Sequence, residues 1–117
     1  MEWTVQVGGR IEPEFEALAE EVQDQIYVVM GLLEQFGPML GRPRVDTLKG
    51  SRHANMKEIR FDAAGGVWRV VFAFDRKRKA ILLIAGDKSG VREKRFYKQL
   101  IAKAEERFDA HLARERR

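Results

Sequence analysis

The sequence predicts an α+β domain: an N-terminal strand and helices packed on an antiparallel sheet with a three-strand meander, followed by a C-terminal helix. Three observations predict it. Apolar residues recur at three- and four-residue spacing between positions 15 and 36, and again between 96 and 112. Three apolar segments between 57 and 85 follow one another with turn chemistry between them. At 117 residues the chain suits one small domain with a modest core, so residues 1–117 are read as a single domain.

Trp3, Val5 and Val7 alternate with Thr4 and Gln6, which predicts a short strand closed by Gly8-Gly9. Pro13 suits a first helical position. From there Phe15, Leu18, Val22, Ile26, Val29, Leu33 and Phe36 line one face, as one long amphipathic helix or two short ones in series. Glu12, Glu14 and Glu16 complement the positive end of the helix dipole. Gly37-Pro38 ends the helix, and Gly41, Pro43 and Gly50 mark an irregular connection.

Residues 57–62 predict a strand with Ile59 and Phe61 on one face and Glu58 and Arg60 on the other. Asp62 to Gly66 reads as a hairpin loop. Val67 to Asp75 is apolar on both faces and therefore central. The charged turn Asp75 to Lys79 leads to a third strand, Ile81 to Ala85, and a loop, Gly86 to Gly90. Phe96, Leu100, Ala104, Phe108 and Leu112 form the stripe of the last helix. With helices on one face of the sheet, its other face is expected to be open and able to cradle a ligand.

Charge is distributed unevenly. Residues 1–41 carry one cation and eight acids, whereas residues 42–117 carry 21 cations and ten acids. A basic two-thirds behind an acidic front suits a polyanion-binding surface, although ordinary solvated Lys and Arg would give the same count. The chain has no cysteine, which excludes disulfides, thiolate zinc sites and a cysteine nucleophile. Two distant histidines without metal-ligand spacing suggest no metal site, and no Gly-rich phosphate loop or nucleophile elbow appears. No apolar run approaches a membrane span, and the opening MEWTVQV lacks a signal peptide's pattern, so a cytoplasmic protein is expected.

Cations interrupt the meander at Arg60, Arg69 and Lys88. Arg69 lies on the face of Val67, Val71 and Ala73, lighter than the Trp68, Val70, Phe72, Phe74 face. Its planar fork suits bidentate phosphate contact. The alternative is an ion pair with Glu58 or Asp62 across the hairpin. Arg60 is a candidate cross-strand neighbour of Arg69, an arrangement that a carboxylate or bound anion between them would relieve. Lys88 follows a strand end among small residues, as a phosphate contact or a plain turn. Lys57 and His53 precede the second strand in a polar segment. Phe96 fits the core stripe, Tyr97 offers a ring for base stacking, and helical spacing accounts for the neighbours of His111.

These residues carry a resemblance. Residues 48–61 (LKGSRHANMKEIRF), 67–75 (VWRVVFAFD), 81–90 (ILLIAGDKSG) and 95–98 (RFYK) resemble the RelE/ParE superfamily of toxins from type II toxin–antitoxin systems, in its phage-derived HigB-like branch. The resemblance implies a RelE-like fold over nearly the whole chain. It implies a ribosome-dependent mRNA endoribonuclease in which the RNA 2′-OH attacks the adjacent phosphate, without a metal or other cofactor. It places Arg69 on the scissile phosphate, with Arg60, Lys88 and Lys57 as further catalytic candidates. Lys49, Arg52, His53, Arg95 and Tyr97 become candidate RNA contacts. It assigns no proton-transfer group; Lys57, Glu58 and His53 are candidates by position alone. The implied partners are a cognate antitoxin with a helix-turn-helix domain, the ribosome and mRNA, and no membrane. The competing readings are a ParE-like non-nuclease toxin that inhibits DNA gyrase through protein contacts, and a degenerate toxin kept as a binding partner.

Overall fold

The computed structural model describes residues 2–116. In chain order the elements are β1 (Val5–Val7), α1 (Ile11–Glu16), α2 (Glu20–Phe36), a 3-10 turn at Gly37–Met39, β2 (Val45–Thr47), β3 (Met56–Ala63), β4 (Gly66–Phe74), β5 (Ala80–Asp87) and α3 (Glu93–Glu115). The expected α+β order is observed with one addition: β2 lies in the segment read as an irregular connection.

The five strands form one sheet in the order β1-β5-β4-β3-β2. The meander β3-β4-β5 is antiparallel, as expected, and β2 adds to its outer edge. β1 pairs with β5 in parallel, from Val5 opposite Ala80 to Val7 opposite Leu82, so the sheet is mixed. The helices carry the chain from β1 over to the β2 edge, and the meander brings it back beside β1 running the same way.

The long apolar stripe divides into two helices. Pro13 is the third residue of α1, not the first, a position that still falls among the N–H groups without an intrahelical acceptor. The break lies at residues 17–19. There the Gln23 side-chain amide donates to the carbonyls of Phe15 and Leu18, both at 3.0 Å, and Glu16, at 3.2 Å. It thereby satisfies acceptors that a continuous helix would have used. Val22, Ile26, Val29 and Leu33 of α2 are buried, as the spacing predicts.

The expectation of an open sheet face is overturned. Val70, Phe72 and Phe74 of β4 pack towards α1 and α2. Val71 and Ala73 pack on the other side with Phe96, Leu100, Ala104 and Phe108 of α3. β4 is central and sealed on both faces, with Phe72 fully buried, a side chain worth ~1.5–3 kcal/mol of transfer energy. The lighter face is light because a helix lies close against it. Gly86 shows how close: a Cβ there would sit 3.1 Å from the Phe96 ring.

Candidate functional site

Glu58 and Arg60 alternate onto the α3 side of β3, and the hairpin register sets Arg60 directly opposite Arg69. Tyr97, in the second turn of α3, reaches the same spot. Glu58 Oε1 accepts from Arg60 Nε at 2.7 Å and from the Tyr97 hydroxyl at 2.9 Å, with Arg69 Nε at 3.5 Å. Arg69 Nε also donates to the Tyr97 hydroxyl at 3.1 Å, and another of its nitrogens donates to the Trp68 carbonyl at 2.9 Å. One buried carboxylate therefore relieves the repulsion between two facing guanidiniums.

The exposures of these cations differ. The Arg69 side chain is 12% exposed and Arg60 42%. Of the two alternatives for Arg69, the structure shows the ion pair, with Glu58 as partner and not Asp62. The hydrogen bond to Glu58 raises the Arg60 pKa above its ordinary value. Burial, with the acceptor Glu58 adding to it, pushes the Tyr97 phenol up despite the opposing hydrogen bond from Arg69, so Tyr97 is a neutral hydroxyl at physiological pH.

Glu58, Arg60 and Tyr97 line a cavity of about 380 Å³ at the β2–β3 edge, beside the start of α3. Arg42, Lys49 and Lys94 supply further cations, and Asp46 and Glu93 supply carboxylates. The hydrogen bond from Arg42 holds Asp46 below the usual carboxylate range. Arg42 and Asp46 had no signal in the sequence, because β2 is only three residues long and shows no extended alternation; Lys94 is one of several exposed charges on the first turn of α3.

The other candidates are divided between the neighbourhood of this cavity and places remote from it. Lys88 follows the end of β5 and pairs with Glu93 at 3.0 Å, an ion pair that lowers the Glu93 pKa. The Lys57 ammonium lies 3.5 Å from the Thr47 hydroxyl, on the strand face opposite Glu58. Arg95 is exposed on the first turn of α3. Arg52 and His53 are drawn elsewhere: Arg52 pairs with Glu105 and Asp109, and His53 Nε2 lies 2.9 Å from Asp109. Those acids are two to three turns along α3 from Tyr97, ~12–18 Å away at 1.5 Å rise per residue.

This topology is that of the RelE toxins. A mutant of the Escherichia coli toxin RelE, solved in the free state, matches with a TM-score of 0.60 over 88% of this chain and 97% of that one, at 15% identity. The archaeal RelE of the RelE–RelB complex from Pyrococcus horikoshii OT3 matches with a TM-score of 0.53 over 78% of this chain and 100% of that one, at 19% identity. These likenesses establish the fold.

The chain belongs to the family described as "Phage derived protein Gp49-like (DUF891)", which matches residues 13–109. It is 44% identical over 95% of its length to the protein named "Putative toxin HigB2" of Mycobacterium tuberculosis (strain ATCC 25618 / H37Rv), and spans 55% of that protein. It is 43% identical over 91% of its length to "Putative toxin HigB3" of the same strain, and spans 90% of that protein. The expected phage-derived, HigB-like branch of the RelE toxins is thus the family found.

Proposed function

We propose that this chain is the toxin of a type II toxin–antitoxin pair, and that it cleaves mRNA on the ribosome in the cytoplasm. The observation that carries the reading is the Glu58–Arg60–Arg69–Tyr97 cluster opening into a cation-rimmed cavity. The burial of Arg69 supports moving the role expected of it to Arg60: half-exposed and lining the cavity, Arg60 holds the scissile phosphate and the charge that builds on its oxygens. Arg69, turned inward, is a positioning residue that fixes Tyr97 and Glu58.

The same contacts support a proton path. The 2′-OH passes its proton to the Tyr97 oxygen while Tyr97 passes its own to Glu58. The 2′-oxygen then bonds to phosphorus, and the 5′-oxygen leaves with a proton from an ammonium at the rim, where Lys49 and Lys94 stand. The products are a 2′,3′-cyclic phosphate and a 5′-OH. The Lys88–Glu93 pair lies at the exposed start of α3, where an RNA phosphate would displace the Glu93 carboxylate. The partners are mRNA, the ribosome and a cognate antitoxin carrying a helix-turn-helix domain.

Mapping RNA ends after induced expression tests the reading. Translation-dependent cuts are expected with the wild type and none with Arg60→Ala. Growth arrest without cuts would instead indicate a ParE-like inhibitor of DNA gyrase.

A further inference from the structure

At the far end of α3, His111 and Glu115 lie one turn apart on the same helix face, and Asp75 meets them from the β4–β5 turn. Their ligand atoms lie within 4.8 Å of one another. His111 Nε2 is 2.9 Å from Asp75 Oδ2 and 3.7 Å from Glu115 Oε1. The Asp75 side chain is fully buried, and those of His111 and Glu115 are 9% and 8% exposed.

Two features set this cluster apart from an ordinary ion pair. Both Glu115 oxygens are buried with no hydrogen-bond partner among the described residues. An anionic carboxylate left in that state carries a large desolvation cost. Asp75 is pre-oriented: its Oδ1 accepts the backbone N–H groups of Lys77 and Lys79, both at 2.9 Å, which leaves Oδ2 directed at His111.

We propose that Asp75, His111 and Glu115 bind one divalent transition-metal ion, of which Zn²⁺ best fits the donors. One imidazole nitrogen and two carboxylate oxygens suit zinc, whereas calcium and magnesium take oxygen ligands alone. Zinc bonds of ~2.0–2.1 Å at tetrahedral angles set ligand atoms ~3.3 Å apart. The 2.9 and 3.7 Å separations bracket that value. The backbone N–H bonds to Asp75 Oδ1 act as the outer shell that orients a ligand. Lys79 Nζ, 3.8 Å from Asp75 Oδ2, swings away when the ion enters. A cavity of about 610 Å³ bordered by His111 and Glu115 provides the path and room for a water as fourth ligand. The ion pins the last turn of α3 to the β4–β5 turn. Fourteen residues of helix separate it from Tyr97, ~21 Å, so the site is structural and independent of cleavage.

Isothermal titration of the chelator-treated protein with Zn²⁺ tests it. The wild type is expected to bind one ion and to gain thermal stability that rises with the logarithm of the free Zn²⁺ concentration above Kd. Glu115→Gln and His111→Ala are expected to weaken binding by roughly tenfold or more. His53→Ala, at the separate His53–Asp109 pair, should bind as the wild type does. Absence of saturable binding to the wild type would overturn the proposal. So would undiminished binding by a folded Glu115→Gln protein, or loss of binding only in His53→Ala.

Discussion

Arg60 and Arg69 stand directly opposite each other in the β3–β4 register, and one oxygen, Glu58 Oε1, serves both. Facing cations on adjacent strands are ordinarily destabilising. Here they sit in a tight arrangement that only the carboxylate makes tolerable, and its removal should be felt throughout the cluster.

Glu58→Ala is expected to cost ~3–5 kcal/mol, since it leaves two guanidiniums partly buried without a counter-charge. Urea denaturation monitored by circular dichroism checks this. A loss below about 1 kcal/mol, the range of an exposed pair, would show that the carboxylate is not the keystone of the cluster.

Tyr97→Phe keeps the ring and removes the hydroxyl between Arg69 and Glu58. Stability should fall by ~1 kcal/mol, whereas single-turnover mRNA cleavage on programmed ribosomes should fall ~10²–10⁴-fold. Unchanged cleavage would remove Tyr97 from the proton path.

The two arginines should fail differently. Arg60→Ala is expected to leave a folded protein that no longer cleaves mRNA. Arg69→Ala should lower stability as well, because its side chain is almost enclosed and bonded to three partners. Melting temperatures and cleavage measured side by side distinguish them; equal melting temperatures would contradict the burial difference.

Arg107 joins three elements. Its guanidinium grips Glu14 of α1 with bonds of 2.7 and 2.8 Å and donates to the Leu83 carbonyl of β5 at 2.8 Å. The hydrogen bond to Arg107 holds the Glu14 carboxyl below its ordinary value of 4.5. The stability this adds is present above that value and lost as pH falls through the lowered one. Glu14→Gln should therefore be less stable than the wild type at pH ~7, with the difference shrinking between pH ~5 and ~3. A pH-independent difference would exclude the linkage.

Much of the architecture was legible in local pattern. Strand alternation placed Glu58 and Arg60 on one face and Ile59 on the other, as observed, and the apolar character of β4 marked it as central. What escaped was long-range. Val67, Arg69, Val71 and Ala73 look like an exposed face in isolation; only the small residues Gly86 and Ala104, packed against them by a helix beginning six residues after β5, reveal otherwise. The choice between Glu58 and Asp62 for Arg69 depended on hairpin register, which the turn at Ala64-Gly65 sets and composition does not. Tyr97, one residue off the buried stripe, was visible as a ring but not as a hydroxyl bonded to Glu58. His111 was explained away by helical spacing, and that same spacing turns it onto Asp75.

The two outer strands, β1 and β2, are only three residues each, while the three between them run eight or nine. Val70–Phe74, rich in β-forming side chains, lies between β3 and β5 and so offers no free edge to another chain, whereas β5 is covered by β1 only at Ala80–Leu82. The central place of β4, and not the short borders, keeps its apolar backbone out of reach of neighbouring molecules.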